Sequence, residues 1–365
     1  MRTVIFSHNY PPKRNPRSFR IRNLEQAGFF GNEYIIIPNS VLAFSQFKKL
    51  HNDLHQKKRE ITKPNFLSYL KNGIRYNRIS NFLSKCILPD RFIFLQLYYL
   101  ILYIVKYRKS DDLIYTVSNP FSSHLIGIVL KFLFKHEWHA DIGDVYYSEL
   151  TSNWSIHEAL EKSVVLYTDR LILNSESIKN HFIQAYSVVT EKIHVVSNGV
   201  RIKFNTIIRI PSSVLRFSYI GNTYHPIRPG IQELEFILKY FEAHPEQSMI
   251  LQLFGKQNQA IMRLAAKNPL LIKIISCNSD HELEEAYANT DILINIANVN
   301  FPGLPSKLEE YVASRIPIIN FYQTKDNASL LFLNSKNLVL LNIDINCIDE
   351  DILNKTTRFI STCFN

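Results

Sequence analysis

The stretch FPGLPSKLEEYVASRIPII, from Phe301 to Ile319, follows the apolar run DILINIA and itself ends in apolar residues. A short apolar run, a Pro-Gly turn, a helical segment and a second apolar run form the pattern of a parallel α/β unit. Ser306 fits the N-cap of the helix, because Glu309 stands three residues later at capping-box spacing. The stretch therefore predicts a strand, a turn and a capped helix at the edge of a parallel sheet.

This edge is a candidate anion site. Ligands of open parallel sheets bind beyond the carboxyl ends of the strands, and free N–H groups at a helix start favour a phosphate. Lys307 would add a full positive charge, and Glu310 would direct its carboxylate at a neighbouring sugar hydroxyl. The same segment also fits a capped, solvated helix start with no ligand. A P-loop or dinucleotide site is disfavoured, since neither GxxxxGK[ST] nor GxGxxG occurs.

Apolar runs alternate with helical patterns along both halves of the 365-residue chain, which predicts an α/β protein with two doubly wound parallel sheets. The pattern restarts after Asn198-Gly199, where an irregular, Pro-containing segment is the best linker. We expect an N-terminal domain over 1–200, a second over 201–345, and a C-terminal helix over 346–365 that packs back toward the first. An irregular basic region spans 39–90. The predicted strands are 3–7, 34–38, 113–117, 170–175, 215–221, 249–255, 271–276, 291–297 and 316–321.

Charge is distributed unevenly along the chain. The net charge is +10, but residues 1–110 hold 20 Lys and Arg against 5 Asp and Glu, so this segment carries +15. Such a segment suits an anionic partner, either nucleic acid or an anionic bilayer surface, although a solvated basic face would look the same. The four cysteines form no CxxC pair and the N-terminus resembles no signal peptide, so we expect a reducing cytoplasm. The apolar run 92–105 is shorter than the roughly 20 residues of a membrane span, and it predicts a buried helix.

Several segments in order along the chain resemble the family 4 glycosyltransferases. LPSKLEEYVASRIPIINF is similar to the family's donor-binding segment, and TDRLILNSESIKNHF (168–182) to an earlier strand–helix unit. KIHVVSNGV (192–200), FSYIGNTYHPIRPGIQEL (217–234) and EEAYANTDILINIA (284–297) match further family segments. Below residue 110 the resemblance is limited to SHNYPPKRNPRSFRIRNL and GNEYIIIP.

The resemblance implies a GT-B fold, in which two Rossmann-like domains face a cleft and the donor binds the C-terminal one. It implies a nucleotide-sugar donor, no cofactor and no metal, because cationic side chains would stabilise the departing diphosphate. The diphosphate would contact Ser306, Lys307 and Arg228, and Glu310 would contact the ribose. Donor-binding residues carried over from the family are Gly221, Asn222, Arg228, Lys256, Ser306, Lys307 and Glu310; Lys256 fits a solvent-exposed position equally well.

The chain departs from the family pattern at three places. Many members have a second Glu at the position of Pro302, so sugar recognition must differ here, through Asn298, Asn300 or the backbone of 301–305. The first loop has KRNPRS instead of Gly-Gly, and its Arg14 and Arg17 could reach an anionic acceptor. The segment HEWHADIGDVYYSEL (136–150) resembles the family's Asp-x-Arg-Asp, with Gly143 at the place of the Arg. We predict catalytic roles for Asp141 and Asp144 and acceptor contacts for Tyr10, Arg14, Arg17 and His139.

Other interpretations of the 136–150 segment remain open. Asp141 and Asp144 also fit ordinary acids that cap the next element at a strand end. A metal site built from His136, His139, Asp141 and Asp144 has suitable ligand types, but in a strand the two histidines would face opposite sides.

These features predict a retaining glycosyltransferase that moves a sugar to a hydroxyl of a cell-surface glycan or lipid-linked acceptor. The leaving phosphate would help deprotonate that hydroxyl while Asp141 or Asp144 positions it. The basic segment predicts peripheral docking on the anionic inner face of the cell membrane. The alternatives are a sugar-nucleotide 2-epimerase of the same fold and a degenerate sugar-binding protein. No nucleic-acid partner is expected, because no RNA-binding or helix-turn-helix pattern occurs.

Overall fold

The computed structural model describes residues 1–10, 15–38, 59–60, 90, 92–147 and 155–364. The chain forms two compact units, Met1–Asn198 and Gly199–Asn365. Arg14 and nearly all of the irregular region 39–90 lie outside the described residues. Each unit is built on one parallel sheet with helices between the strands, which confirms the predicted doubly wound α/β class.

The sheet of the first unit has the order β3-β2-β1-β4-β5-β6-β7, and all neighbouring strands are parallel. The order reverses between β1 and β4, where loops from both strands open at the carboxyl edge. Its elements are β1 (Thr3–Ser7), α1 (Pro16–Gln26), β2 (Tyr34–Pro38), β3 (Arg59–Glu60), α2 (Ile93–Lys106), β4 (Leu113–Val117), α3 (Ser123–Phe134), β5 (Trp138–Ile142), α4 (Ser155–Tyr167), β6 (Arg170–Leu173), α5 (Glu176–Tyr186) and β7 (Ile193–Val195).

The two faces of this sheet are both buried, because side chains of a strand point alternately to opposite sides. Val4 and Phe6 of β1 pack with Trp138 in the core beneath α2, α3, α4 and α5. Ile5 points the other way and packs with Ile21 of α1. Burial on both sides explains why the strands are continuous apolar runs rather than alternating ones.

The sheet of the second unit has the order β10-β9-β8-β11-β12-β13 and is also parallel throughout. The C-terminal helix packs on this sheet: Ile360 lies in its core, and Thr357 hydrogen-bonds to His244. The elements are β8 (Leu215–Ile220), α6 (Ile231–Ala243), β9 (Met249–Phe254), α7 (Gln259–Lys267), β10 (Ile272–Ile275), α8 (Asp280–Ala288), β11 (Ile292–Ile296), α9 (Leu308–Ser314), β12 (Ile318–Tyr322), α10 (Ala328–Asn334), β13 (Leu340–Asp344) and α11 (Glu350–Phe364).

A row of asparagines crosses three strands of the second sheet. Asn295 of β11 is paired with Asn320 of β12, which is paired in turn with Asn342 of β13. The Nδ2 group of each of the first two donates to the Oδ1 of the next at 2.7 Å. Asn342 then donates to Asn334 at 2.8 Å. The row thus gives each of the buried amides a polar partner, and the Oδ1 of Asn295 at its start accepts no hydrogen bond from the described residues.

Helix α2 differs from the prediction of a buried helix. Tyr99 and Tyr103 face the core, but Leu97, Ile101 and Val105 on the other side are 45, 61 and 74% exposed. The helix is apolar all round, so composition could not distinguish its inner face from its outer one. Within the described part of the chain, no helix combines the length and apolar character needed to cross a membrane.

Candidate active site

A tight turn in the loop after β8 places Arg228. The N–H of Tyr224 donates to the Arg228 carbonyl at 2.9 Å, and the N–H of Arg228 donates back at 2.7 Å. The side chain points inward, and the residue is only 7% exposed. Its Nε and Nη2 donate to Oδ1 of Asn298 at 3.1 and 2.5 Å, while Asn298 donates to the Gly303 carbonyl at 2.5 Å. Asn298 therefore orients Arg228 and connects it to the Pro-Gly-Leu-Pro turn.

Lys307 lies beside this arginine and is also buried. Its Nζ is 3.4 Å from the ring centroid of Tyr219 and 5.5 Å from that of Tyr311, and no described residue accepts a hydrogen bond from it. Burial, followed by the positive charge of Arg228, holds the pKa of Lys307 well below its ordinary value. A buried amine without a polar partner is costly, which makes Lys307 a candidate for binding a ligand.

The loops around these two cations need glycine because the chain approaches itself closely. A Cβ on Gly221 would lie 3.1 Å from Cδ and Nζ of Lys307. Gly255 has a φ of +106°, and a Cβ there would lie 2.9 Å from the Gly221 carbonyl oxygen. Asn222 ties the two loops together, because its Oδ1 accepts the Lys256 N–H at 2.8 Å. Lys256 thus contributes its backbone to the site, and its side chain is exposed.

Ser306 is not the N-cap that the capping-box spacing predicts. The helix α9 begins at Leu308, Lys307 occupies the cap position, and no side chain caps the helix. The Leu308 N–H donates to the Pro305 carbonyl at 3.0 Å, so Ser306 lies inside a tight turn. Its side chain is exposed. The cationic character of this edge therefore comes from Lys307 and Arg228 rather than from a capped helix end.

Glu310 is buried in the first turn of α9 and forms an ion pair with Arg201. Nε and Nη2 of Arg201 donate to its two carboxylate oxygens at 2.5 and 2.9 Å, and Tyr287 donates to the second at 3.4 Å. The predicted ribose contact of Glu310 would have to coexist with this pair or replace it. Arg201 belongs to the segment predicted to be a linker, so its role could not be read from local sequence.

In the first unit, Asp141 is fully buried at the carboxyl end of β5. Nε of Arg20 donates to both carboxylate oxygens at 3.0 and 2.9 Å, and the Tyr115 hydroxyl donates at 2.7 Å. Arg20 is itself fully buried and also donates to the Val196 and Ser197 carbonyls. This placement contradicts a catalytic role for Asp141, because its oxygens are occupied and no part of it reaches the surface. Asp141 holds the core of this edge together.

Asp144 occupies a different environment three residues later. Its side chain is 57% exposed, and one oxygen accepts a hydrogen bond from Nη2 of the buried Arg17 at 2.8 Å. The guanidinium lies over Gly143, so that a Cβ at this position would be 1.5 Å from Nη1. Gly143 therefore leaves the space in which Arg17 reaches Asp144. Of the two predicted catalytic acids, only Asp144 is available to a ligand.

A buried glutamate fixes the loop that follows Asp144. Glu161 of α4 accepts the N–H groups of Tyr146 and Tyr147 at 2.6 and 3.3 Å and the Tyr186 hydroxyl at 2.8 Å. Burial raises the pKa of Glu161 to about 7, although these hydrogen bonds act in the opposite direction. No local pattern pointed to Glu161, since its partners lie 14 to 25 residues away.

His139, another predicted acceptor residue, does not lie with Asp144. His139 lies near the start of β5, whereas Asp144 follows its end, and its Nε2 is 2.8 Å from a Glu137 oxygen. Burial lowers the pKa of His139. The Tyr10 hydroxyl donates to Glu25 at 2.9 Å. Among the residues that the structure describes, no group of three or more His, Cys, Asp or Glu could hold a metal ion.

Comparison with known proteins supports the fold. No protein-family profile and no curated protein sequence matches the chain. Solved structures do match: Anabaena HepE in complex with UDP (TM-score 0.63, 14% identity, 100% of this chain and 91% of that one) and sucrose-phosphate synthase from Thermosynechococcus elongatus (0.65, 14%, 100% and 90%). WaaG, a glycosyltransferase involved in lipopolysaccharide biosynthesis, also matches (0.61, 13%, 98% and 90%). The chain therefore has the fold of these proteins, the GT-B fold. At 13–14% sequence identity, the comparison shows the fold alone.

Proposed function

We propose that this protein is a glycosyltransferase with a nucleotide-sugar donor, and that Lys307 and Arg228 bind the donor's diphosphate. One observation carries the proposal: a buried lysine nitrogen without a hydrogen-bond partner lies beside a buried arginine. No described carboxylate pairs with either cation. Two adjacent cations that lack counter-charges favour an anion with two phosphoryl groups. The UDP bound to Anabaena HepE, which shares the fold, is such an anion.

The chemistry follows from this charge arrangement. As the bond between the anomeric carbon and the phosphate oxygen breaks, negative charge collects on the leaving diphosphate, where buried cations stabilise it most. The acceptor oxygen forms the new bond to the anomeric carbon, and its proton passes to the departing phosphate. From the family resemblance we infer that the configuration at the anomeric carbon is retained. Cationic side chains do here what a metal ion does in other transferases, so we expect no metal requirement.

Asp144 is our candidate for orienting the acceptor hydroxyl. It is a half-exposed carboxylate at the carboxyl edge of the first sheet, and the pair with Arg17 fixes its position. The acceptor is proposed to be a cell-surface glycan or a lipid-linked sugar. WaaG and the lipopolysaccharide outer core galactosyltransferase WaaB share the fold. The excess of basic residues before position 110 supports the proposal that the enzyme binds the anionic inner face of the cell membrane.

Ligand-induced stabilisation tests the donor site. We expect one or more of UDP, GDP and TDP, or the sugars linked to them, to raise the unfolding temperature, because a ligand of the folded state stabilises it. CMP, which has a single phosphoryl group, should be a weaker ligand of a diphosphate site, and stabilisation by CMP or a CMP-linked sugar alone would contradict that site. The variant Lys307→Ala should lose this shift, and Lys267→Ala, which changes an exposed lysine of the same unit, should keep it. Unchanged nucleotide binding in Lys307→Ala would refute the site.

Product analysis then tests the reaction. Incubation of the stabilising donor with a panel of glycan acceptors should yield a sugar-extended product and the free nucleoside diphosphate. An epimerised donor formed without acceptor would instead identify a 2-epimerase. Binding with neither product would identify a sugar-binding protein, consistent with the Pro302 departure and the occupied Glu310.

A further inference from the structure

The outer face of α2 carries a row of exposed apolar side chains. Leu97, Ile101 and Val105 follow one another at intervals of four residues, which places them on one side of the helix. Their exposed fractions rise along the helix from 45 to 61 to 74%. Scattered exposed apolar residues are ordinary, but an aligned row that becomes more exposed along a helix is not.

The two neighbouring helices also carry exposed apolar side chains. Helix α3 packs beside α2, and α4 packs beside α3, on the same face of the sheet. Phe132 and Leu133 at the end of α3 are 49 and 69% exposed, and the Phe132 ring meets that of Tyr167, the last residue of α4, at 5.3 Å. The helices between parallel strands run in the same direction, so these C-terminal ends share one edge. We name the row on α2 together with Phe132, Leu133 and Tyr167 the apolar helix patch.

Three cations lie at one edge of this patch. Lys106, Arg108 and Lys135 are exposed at the ends of α2 and α3, and no described carboxylate pairs with them. The Arg108 guanidinium lies 4.3 Å from the centroid of the Phe134 ring. The acids nearby are already paired with other groups: Asp169 with Lys131 and Glu33 with Lys109. The patch thus combines an apolar surface with a positive edge.

We propose that the apolar helix patch docks the protein on an anionic lipid bilayer, with α2 lying along the interface. An apolar row bordered by Lys and Arg is the pattern of helices that lie in the headgroup region, where apolar burial and attraction to anionic lipids add together. A symmetric second copy is a poorer occupant, because a two-fold interface would oppose these cations to themselves. The inference deepens the proposed function, since a docked enzyme would meet a lipid-linked acceptor, but it can be tested separately.

Vesicle sedimentation tests the proposal. The full-length chain should bind phosphatidylcholine vesicles that contain phosphatidylglycerol, and binding should weaken when the anionic lipid is omitted or the salt is raised. The variant Ile101→Ser/Val105→Ser should lower the partition coefficient about tenfold or more, since two apolar side chains no longer enter the interface. Lys106→Gln/Lys135→Gln should reduce the dependence on phosphatidylglycerol. The matched control Ile208→Ser/Leu270→Ser changes two residues of the second unit that are 84 and 88% exposed, and it should bind like the unchanged protein.

Full vesicle binding by Ile101→Ser/Val105→Ser would overturn the proposal, as would equal loss in the Ile208→Ser/Leu270→Ser control. If light scattering shows a dimer that only Ile101→Ser/Val105→Ser dissociates, and vesicles do not bind, the occupant is a second copy and the proposal is wrong. Donor affinity should be unchanged in all these variants. Vesicle binding without nucleotide binding would therefore reject the proposed function and leave the docking surface standing.

Discussion

The carboxyl edges of the two sheets treat buried charge in opposite ways. In the first unit, Arg20 is matched by Asp141 and Arg17 by Asp144. In the second unit, Lys307 and Arg228 are just as buried, yet within the described residues neither has a carboxylate partner. Among the described residues, the two buried arginines of the first edge have carboxylate partners and the two buried cations of the second edge have none.

Under the proposed function, this difference separates charges that stabilise the fold from charges that bind a ligand. Burying an ion is expensive, and a partner of opposite charge with good geometry offsets the cost. An edge that leaves two cations unmatched gives up stability, which is typical of functional sites. The largest effect of a single substitution is expected at the first edge.

Asp141→Asn should destabilise the protein by about 3–5 kcal/mol, because it leaves the Arg20 charge buried without its counter-ion. The control is Asp144→Asn, which removes the same charge three residues away at a half-exposed position and should cost less than about 1 kcal/mol. Urea unfolding measures both. Sugar transfer should fall in Asp144→Asn while its stability is kept. Equal stability losses in the two variants would remove the distinction between them.

Lys307→Met should raise the stability of the ligand-free protein and lower its sugar-transfer activity. It removes an unmatched buried charge and keeps the volume, so the ligand-free protein should gain about 0.5–2 kcal/mol in stability. Sugar transfer should fall on the order of 10²–10³-fold, because the departing diphosphate loses a charge that stabilises it. Thermal unfolding without nucleotide and a transfer assay measure the two effects. A loss of stability would indicate that Lys307 is a structural residue.

Gly143→Ala should cost about 1–3 kcal/mol, because the added Cβ would occupy the space of the Arg17 guanidinium. In Arg17→Ala the space of the guanidinium is already free. The double variant Arg17→Ala/Gly143→Ala should therefore be only slightly less stable than Arg17→Ala alone. A double-mutant cycle by urea unfolding measures this coupling. Strictly additive costs would mean that Arg17 does not depend on Gly143 for its position.

The smallest effect concerns protons at Lys307. Burial depresses the pKa of its amine in the free protein, and a bound diphosphate should raise it again. Donor binding should therefore take up a proton between these two pKa values, and affinity should fall by up to about tenfold per pH unit as pH rises. In the same window the unfolded chain holds the proton that the native protein lacks, so the ligand-free protein should become more stable with rising pH. Calorimetry in buffers of different ionisation enthalpy measures the uptake, and Lys307→Met should abolish it.

The two edges also differ in how far sequence predicts them. Lys307 and Arg228 lie in short segments with a strong local pattern and a family resemblance, and the structure brings them together. The Arg20–Asp141 pair joins residues 121 positions apart, and no local pattern encodes it. The prediction of Ser306 as N-cap was wrong, because the turn at Pro305 moves the cap position by one residue, to Lys307. The strand at Leu340–Asp344 is absent from the predicted strands, since Asn342 interrupts its apolar run.

The asparagine row of the second sheet has a consequence for how this unit folds. A strand that slips by two residues keeps its apolar side chains on the correct faces, so burial alone hardly penalises the error. Such a slip would set Asn320 opposite Leu293 or Ala297 and strand its buried amide, at a cost of about 1–3 kcal/mol. The asparagine row therefore favours the native register of β11, β12 and β13 over a register shifted by two residues.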